Sequence, residues 1–167
     1  MIPGLYTLDE LLLAIAANPT AWRPLVFTNG CFDLLHAGHV RYLQAAKNLG
    51  QTLIVGLNSD QSVQRIKPQP EGFPPRPIVP AMQRAEVLAA LKSVDGVVLF
   101  NEPTAAPLVA ALQPDIYVKG GDYCLETLPE AKVVQGYGGR TALIQIEVPS
   151  STSAIVNHIL SFARRPT

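Results

Sequence analysis

His36 and His39, three residues apart with Gly38 between them, are the residues whose types and spacing point most directly to chemistry. Two imidazoles at that spacing can face the same side of a first helical turn. They close the stretch Thr28-Asn-Gly-Cys-Phe-Asp-Leu-Leu-His-Ala-Gly-His39, which lies between an apolar, strand-like run and a helix-like one. Backbone amides at a glycine turn and at a helix N-terminus carry partial positive charge, so phosphate is the natural ligand there. A zinc site would need a third converging ligand, and the remaining histidine, His158, falls in the last predicted helix. Cys31 sits in the turn without the pattern of a nucleophile elbow and is read as packing. Two merely capping histidines would leave the strand and the glycine turn without purpose.

Two further segments can hold an anion or a base. Lys119-Gly-Gly-Asp122 follows a strand, and its paired glycines, Gly120 and Gly121, permit a close backbone approach, although a turn that merely needs glycine would read the same way. Ser150-Ser-Thr-Ser153 precedes the last helix and offers hydroxyls and amides as a second anion site.

These segments need a scaffold, and the hydrophobic periodicity supplies one. Thr7-Leu-Asp-Glu10 has the spacing of a capping box and opens a helix to Ala17. Leu25–Thr28, a glycine turn at Asn29-Gly30, a helix over 37–48 and Leu53–Leu57 make a β-α-β unit. The alternation resumes with a helix over 81–92, a strand over 96–100, a helix from about 104 and a strand over 116–118. A helix from Pro129, a strand over 141–148 and a closing helix over 152–164 complete it. The expected fold is α/β: a doubly wound, Rossmann-like, five-stranded parallel sheet flanked by helices, with ligands beyond the carboxyl ends of the strands. Residues 1–167 read as a single domain, with 1–22 as an N-terminal helical extension and 67–80 as a proline-rich loop, either a passive connection or an active-site flap.

Composition narrows the partners. Hydrophobic residues make up 48% and charged residues 16%, which excludes a disordered tail. Thirteen basic and thirteen acidic residues balance, so neither nucleic acid nor a membrane surface is expected as a partner. Cys31 and Cys124 form no metal or disulfide pattern, which fits a reducing cytoplasm, and no apolar run is long enough to span a bilayer.

The run Thr28-x-Gly30-x-Phe32-Asp33-x-x-His36-x-Gly38-His39 resembles the signature of the HxGH, cytidylyltransferase-like nucleotidyltransferases. Val55-Gly-Leu-Asn-Ser-Asp60, Arg76-Pro-Ile78, Val118-Lys-Gly-Gly-Asp-Tyr123 and Ser151-Thr-Ser153 further resemble the adenylyltransferase domain that acts on D-glycero-β-D-manno-heptose 1-phosphate. The likeness runs from about Leu25 to Leu160.

That resemblance implies transfer of AMP from ATP to a sugar 1-phosphate, giving ADP-heptose and pyrophosphate by direct in-line attack, with Mg²⁺ held mainly through nucleotide phosphates and no metal site in the protein. It implies a catalytic set of His36, His39, Lys47 and Arg84, with His39 nearest the α-phosphate and Lys47 and Arg84 directed at phosphate charge. The plain alternative for Lys47 is a solvated lysine at a helix C-terminus, and Arg84 carries a similar one. Thr28, Asn29, Gly30, Cys31, Phe32, Gly38, Lys119, Gly120, Gly121, Asp122, Ser151, Thr152 and Ser153 would bind nucleotide, and Asp33 and Asn58 the acceptor, unless Asp33 only caps the helix entry. A homodimer and a separate sugar kinase are the implied partners. A cytidylyltransferase acting on glycerol 3-phosphate, or a non-catalytic nucleotide-binding regulatory module, are the competing readings. The chain departs from the family pattern in its long proline-rich loop and in Ser153, where the pattern has threonine.

Overall fold

The computed structural model describes residues 2–67, 69, 71–121, 125–145 and 150–163. The elements are β1 (Leu5–Tyr6), α1 (Leu8–Ala17), α2 (Pro19–Trp22), β2 (Leu25–Gly30), α3 (Ala37–Lys47), β3 (Thr52–Asn58) and α4 (Asp60–Ile66). There follow α5 (Ala81–Ala89), β4 (Gly96–Phe100), α6 (Ala106–Leu112), β5 (Ile116–Gly120), α7 (Pro129–Gly136), β6 (Arg140–Ile144) and α8 (Thr152–Ala163), with a 3-10 turn at Leu125–Thr127.

The strands pair in parallel throughout, in the order β1-β4-β3-β2-β5-β6. Apolar β-branched and aromatic runs suit strands covered on both faces. The period of two divides each run between the layers. Val26, Val55, Val97 and Val118 join one core with Tyr42 and Leu43 of α3 and Leu88 of α5. Phe27, Ile54, Val98 and Tyr117 join the other with Leu11 of α1, Val109 of α6 and Val134 of α7. Gly56 is glycine because a Cβ there would sit 2.6 Å from the Phe27 ring.

Among the described residues the sheet has six strands rather than the five expected from the sequence. Residues 1–22 do more than append a helix: Leu5 and Tyr6 pair with Val97 and Val98 and cover the β4 edge. Two residues are too short to show a period, so this strand is set by the edge it covers and not by its own pattern. The Thr7–Glu10 capping box is present as expected. Two local corrections matter for the site. Asn29 and Gly30 continue β2 instead of turning, because both pair with β3. The Ser59-capped helix α4 follows β3 where the sequence analysis had no helix. The last part of the strand expected over 141–148 lies outside the described residues.

The chain passes from β2 through α3 to β3 on one side and later returns to place β5 on the other side of β2. This reversal makes the carboxyl end of β2 the switch point of the sheet, where an open α/β fold leaves a crevice. At the amino edge, Asp115 accepts the Leu25 N–H at 2.6 Å and Asp95 accepts the Leu53 N–H at 2.6 Å, pinning the starts of β2 and β3.

Candidate functional site

A cleft of about 510 Å³ opens at that switch point. Its floor is the carboxyl ends of β2, β3 and β5, where Asn29, Gly30, Asn58, Lys119 and Gly120 line it. Ser151, Thr152 and Ser153, at the start of α8, close another side.

His36 is the N-cap residue of α3, and its side chain makes no capping bond. His39 follows in the first turn. Their rings stack at 3.9 Å between centroids with 29° between planes, and Phe32 meets the His39 ring edge-on at 5.3 Å. The Nδ1 atoms of both rings are buried without a hydrogen-bond partner. A buried N–H with no acceptor costs more than a buried lone pair, so the tautomer carrying hydrogen on Nε2 is favoured, and Nε2 is the atom left to serve the cleft. Burial lowers the pKa of His36, and burial together with the charge of His36 lowers His39 to about 4. Both rings are therefore neutral donors at neutral pH. The free N–H groups at the start of α3 add a positive potential at the same place.

Three residues hold α3 and β5 around this point. Thr28 Oγ1 and the Tyr42 hydroxyl lie 2.6 Å apart, and Tyr42 donates to the Val118 carbonyl at 3.1 Å. Thr28 therefore lies beneath the cleft, fully buried, and does not line it. Asn29 Oδ1 accepts from the Tyr117 hydroxyl at 2.8 Å and from Lys119 Nζ at 3.0 Å, which leaves the Asn29 amide NH₂ for the cleft. Burial lowers the Lys119 pKa, and the charge of Glu130 opposes that shift.

The expected cations are not where the sequence placed them. Lys47 is the last residue of α3, about 12 Å along the helix axis from His39 at 1.5 Å per residue. It pairs with Asp95 at 2.6 Å and donates to the Gln51 carbonyl, at the amino edge of the sheet. A helix that starts at the carboxyl edge must end at the opposite one. Arg84 is 1% exposed. Its guanidinium donates to the carbonyls of Val79 (2.8 Å), Cys31 (2.5 Å) and Asn58 (3.0 Å) and to Asp60 Oδ1 (2.8 Å), so it ties the β2 and β3 ends to α4 and does not line the cleft.

Besides Lys119, the cations among the described residues that line the cleft are Lys67 and Arg76, both in the proline-rich loop. The sequence analysis assigned neither a role. The loop is fastened by Asp33, whose side chain is fully buried: it accepts from Arg76 Nε at 2.5 Å and from the N–H groups of Ile78 and Val79 at 2.8 and 3.0 Å. Asp33 thus neither caps α3 nor keeps a free carboxylate oxygen for an acceptor. It anchors the loop that carries Arg76.

Of the other expected residues, Cys31, Phe32 and Asn58 line the cleft. Burial raises the Cys31 pKa, in keeping with a packing role. Asn58 is 3% exposed and donates to Ser62 Oγ at 2.9 Å. Gly38 is buried within α3, and Gly121, at φ +95, follows the cleft residues without lining it. Asp122 and Cys124 lie outside the described residues. Thr104, Leu128 and Glu130 complete the wall on the α6 and α7 side and were not expected, because no motif marks them. No group of three or more His, Cys, Asp or Glu that could hold a metal ion occurs among the described residues, and no helix among them is long and apolar enough to cross a membrane.

The model of the cytidylyltransferase-like family matches residues 27–162. The "Bifunctional protein HldE" of Citrifermentans bemidjiense is 50% identical over 154 residues, covering 92% of this chain and 31% of that protein. The protein of the same name from Pelobacter propionicus is 47% identical over 152 residues, covering 91% of this chain and 30% of that one. The chain therefore spans under a third of the length of these relatives. Among solved structures, the lipopolysaccharide core biosynthesis protein from Thermoplasma volcanium superposes with a TM-score of 0.58 at 27% identity, covering 75% of this chain and 97% of that one. Pantoate-beta-alanine ligase from Francisella tularensis, at 14% identity and a TM-score of 0.58, shares the fold.

Proposed function

Because this chain belongs to the cytidylyltransferase-like family, we propose that it is a nucleotidyltransferase that moves AMP from ATP to a sugar 1-phosphate, D-glycero-β-D-manno-heptose 1-phosphate, releasing pyrophosphate. The observation that carries the reading is the stacked His36–His39 pair at the N-terminus of α3, two neutral imidazoles aimed with the helix amides into the cleft at the switch point. The heptose assignment rests on the motif stretches at 55–60, 76–78, 118–123 and 151–153, and it is supported by the likeness to a lipopolysaccharide core biosynthesis protein.

In this mechanism a phosphate oxygen of the sugar phosphate attacks the α-phosphorus of ATP in line. The bond from the α-phosphorus to the bridging oxygen breaks as the new one forms, and its electron pair leaves with pyrophosphate. The protein has no bond of its own to make, so it contributes position and charge stabilisation. His36 and His39 donate through Nε2 to the non-bridging oxygens. Lys67 and Arg76 take the roles expected of Lys47 and Arg84, neutralising phosphate charge from the loop. Asp33 acts on the acceptor indirectly, by holding Arg76. Mg²⁺ enters as part of the nucleotide substrate, carried on its phosphates.

The curated relatives are named bifunctional and this chain covers under a third of them, so the reading concerns one activity, whose 1-phosphate substrate a sugar kinase must supply. Homodimerisation and work in the cytoplasm, where nucleotides and sugar phosphates are made, belong to the same reading. The test is pyrophosphate release with Mg²⁺, pairing ATP or CTP with heptose 1-phosphate and with glycerol 3-phosphate. Turnover confined to ATP with heptose 1-phosphate is expected. Turnover with CTP and glycerol 3-phosphate overturns the substrate assignment, and nucleotide binding without turnover on any pair makes the chain a binding module.

A further inference from the structure

Glu130, in the first turn of α7, has no part in that mechanism, yet it is 4% exposed and lines the cleft. One carboxylate oxygen, Oε1, accepts the Ala105 N–H at 2.8 Å and so caps the start of α6. The other, Oε2, has no hydrogen bond among the described residues, and it is not sealed away, since the buried side-chain atoms without partners there are the two imidazole Nδ1 atoms. An acceptor atom on a side chain more than nine-tenths buried therefore opens on the cleft with nothing to accept from.

The charges of the cleft indicate what belongs there. Lys67 follows α4, Arg76 is held by Asp33 just beyond β2, and the histidines stand at the start of α3. Glu130 stands on the β5 side, near Lys119 and beside Leu128. A carboxylate repels phosphate, so the phosphates are driven toward the histidines and the loop cations, and a neutral, donor-bearing moiety is drawn to Glu130. On a nucleotide that moiety is the nucleoside, which offers ribose hydroxyls and an exocyclic amine.

We propose that Glu130 is a specificity residue for the nucleoside, its free oxygen accepting a hydrogen bond from a ribose hydroxyl or from the exocyclic amine of the base. This rests on the reading of the cleft as a nucleotide site. A carboxylate in this position selects by rejection as well as attraction, because an analogue lacking the donor leaves a desolvated charge unpaired.

The experiment is calorimetric titration of the wild-type protein and Glu130→Gln with Mg²⁺ and ATP, 2′-deoxy-ATP, 3′-deoxy-ATP or inosine triphosphate, together with thermal unfolding of both. In the variant the amide oxygen stays on the Ala105 N–H, so the cap and the melting temperature are kept, and an NH₂ replaces the acceptor. The wild type is expected to bind one class of analogue about tenfold more weakly than ATP, the size of one charge-assisted hydrogen bond. The deoxy analogues report a ribose contact and inosine triphosphate an amine contact. Glu130→Gln should bind ATP about tenfold more weakly and lose that discrimination, which loss of a helix cap alone would not do. A wild type that discriminates against none of the analogues overturns the proposal without reference to any variant, as does a variant that discriminates as the wild type does. A wild type that binds no nucleotide overturns the underlying reading of the cleft instead.

Discussion

Replacing Arg84 by methionine separates a structural clamp from a phosphate-binding catalyst, two roles that predict opposite results. The guanidinium is 1% exposed and serves three backbone carbonyls and the Asp60 carboxylate. Methionine retains much of the volume and none of the donors. Asp60 is 42% exposed and rehydrates at little cost. The three carbonyls of Val79, Cys31 and Asn58 lose their guanidinium donor, at about 1–1.5 kcal/mol each. The expected loss is about 4 kcal/mol, a large share of the roughly 5–15 kcal/mol that stabilises a domain. For a chain of this length it lowers the melting temperature by about 10 °C. Urea unfolding followed by circular dichroism gives the first quantity, and steady-state pyrophosphate release at 10 °C, where the variant remains folded, gives the second. Arg84→Met should be strongly destabilised and, while folded, turn over within about tenfold of the wild type. An unchanged unfolding midpoint with kcat reduced a hundredfold or more, the effect of one lost transition-state donor, would refute the clamp and return Arg84 to the phosphates.

Exchanging the two lysines tests the same relocation of charge: Lys67→Met should lower kcat by about two orders of magnitude with the melting temperature kept, whereas Lys47→Met should leave kcat within twofold and cost at most about 1 kcal/mol for the partly exposed pair with Asp95. The reverse pattern would place the functional cation on α3. The depressed histidines make a pH prediction with two signs. In the free protein His39 protonates at about 4, below its unfolded value, so the unfolded chain binds the extra proton first and stability is lost as pH falls from about 6.5 to about 4. A bound polyphosphate favours the imidazolium, so nucleotide binding should take up protons and tighten as pH falls from 7 to 5; calorimetry in buffers of different ionisation enthalpy checks this, and proton release on binding contradicts it.

What was legible in the sequence follows physical lines. The central strands were readable because burial on both faces demands uninterrupted apolar runs, and the His36–Gly38–His39 cluster because a short-range spacing decides which side chains meet. Strand β1 was not, since two residues carry no period and the edge of β4 determines their conformation. Glu130 and Arg76 were not, because their places depend on contacts with residues 25 and 43 positions away, Ala105 and Asp33. Lys47 is a different kind of error. The fold was already expected to be parallel, with its ligands at the carboxyl edge, and a helix leaving that edge returns to the amino edge by its last turn. A lysine ending an eleven-residue helix is thereby excluded from the phosphates by topology alone, whatever its position in a motif. That limit does not reach the residue after the seven-residue helix α4, which lines the cleft with the histidines. That residue is Lys67, at the start of a loop that has no period to announce it.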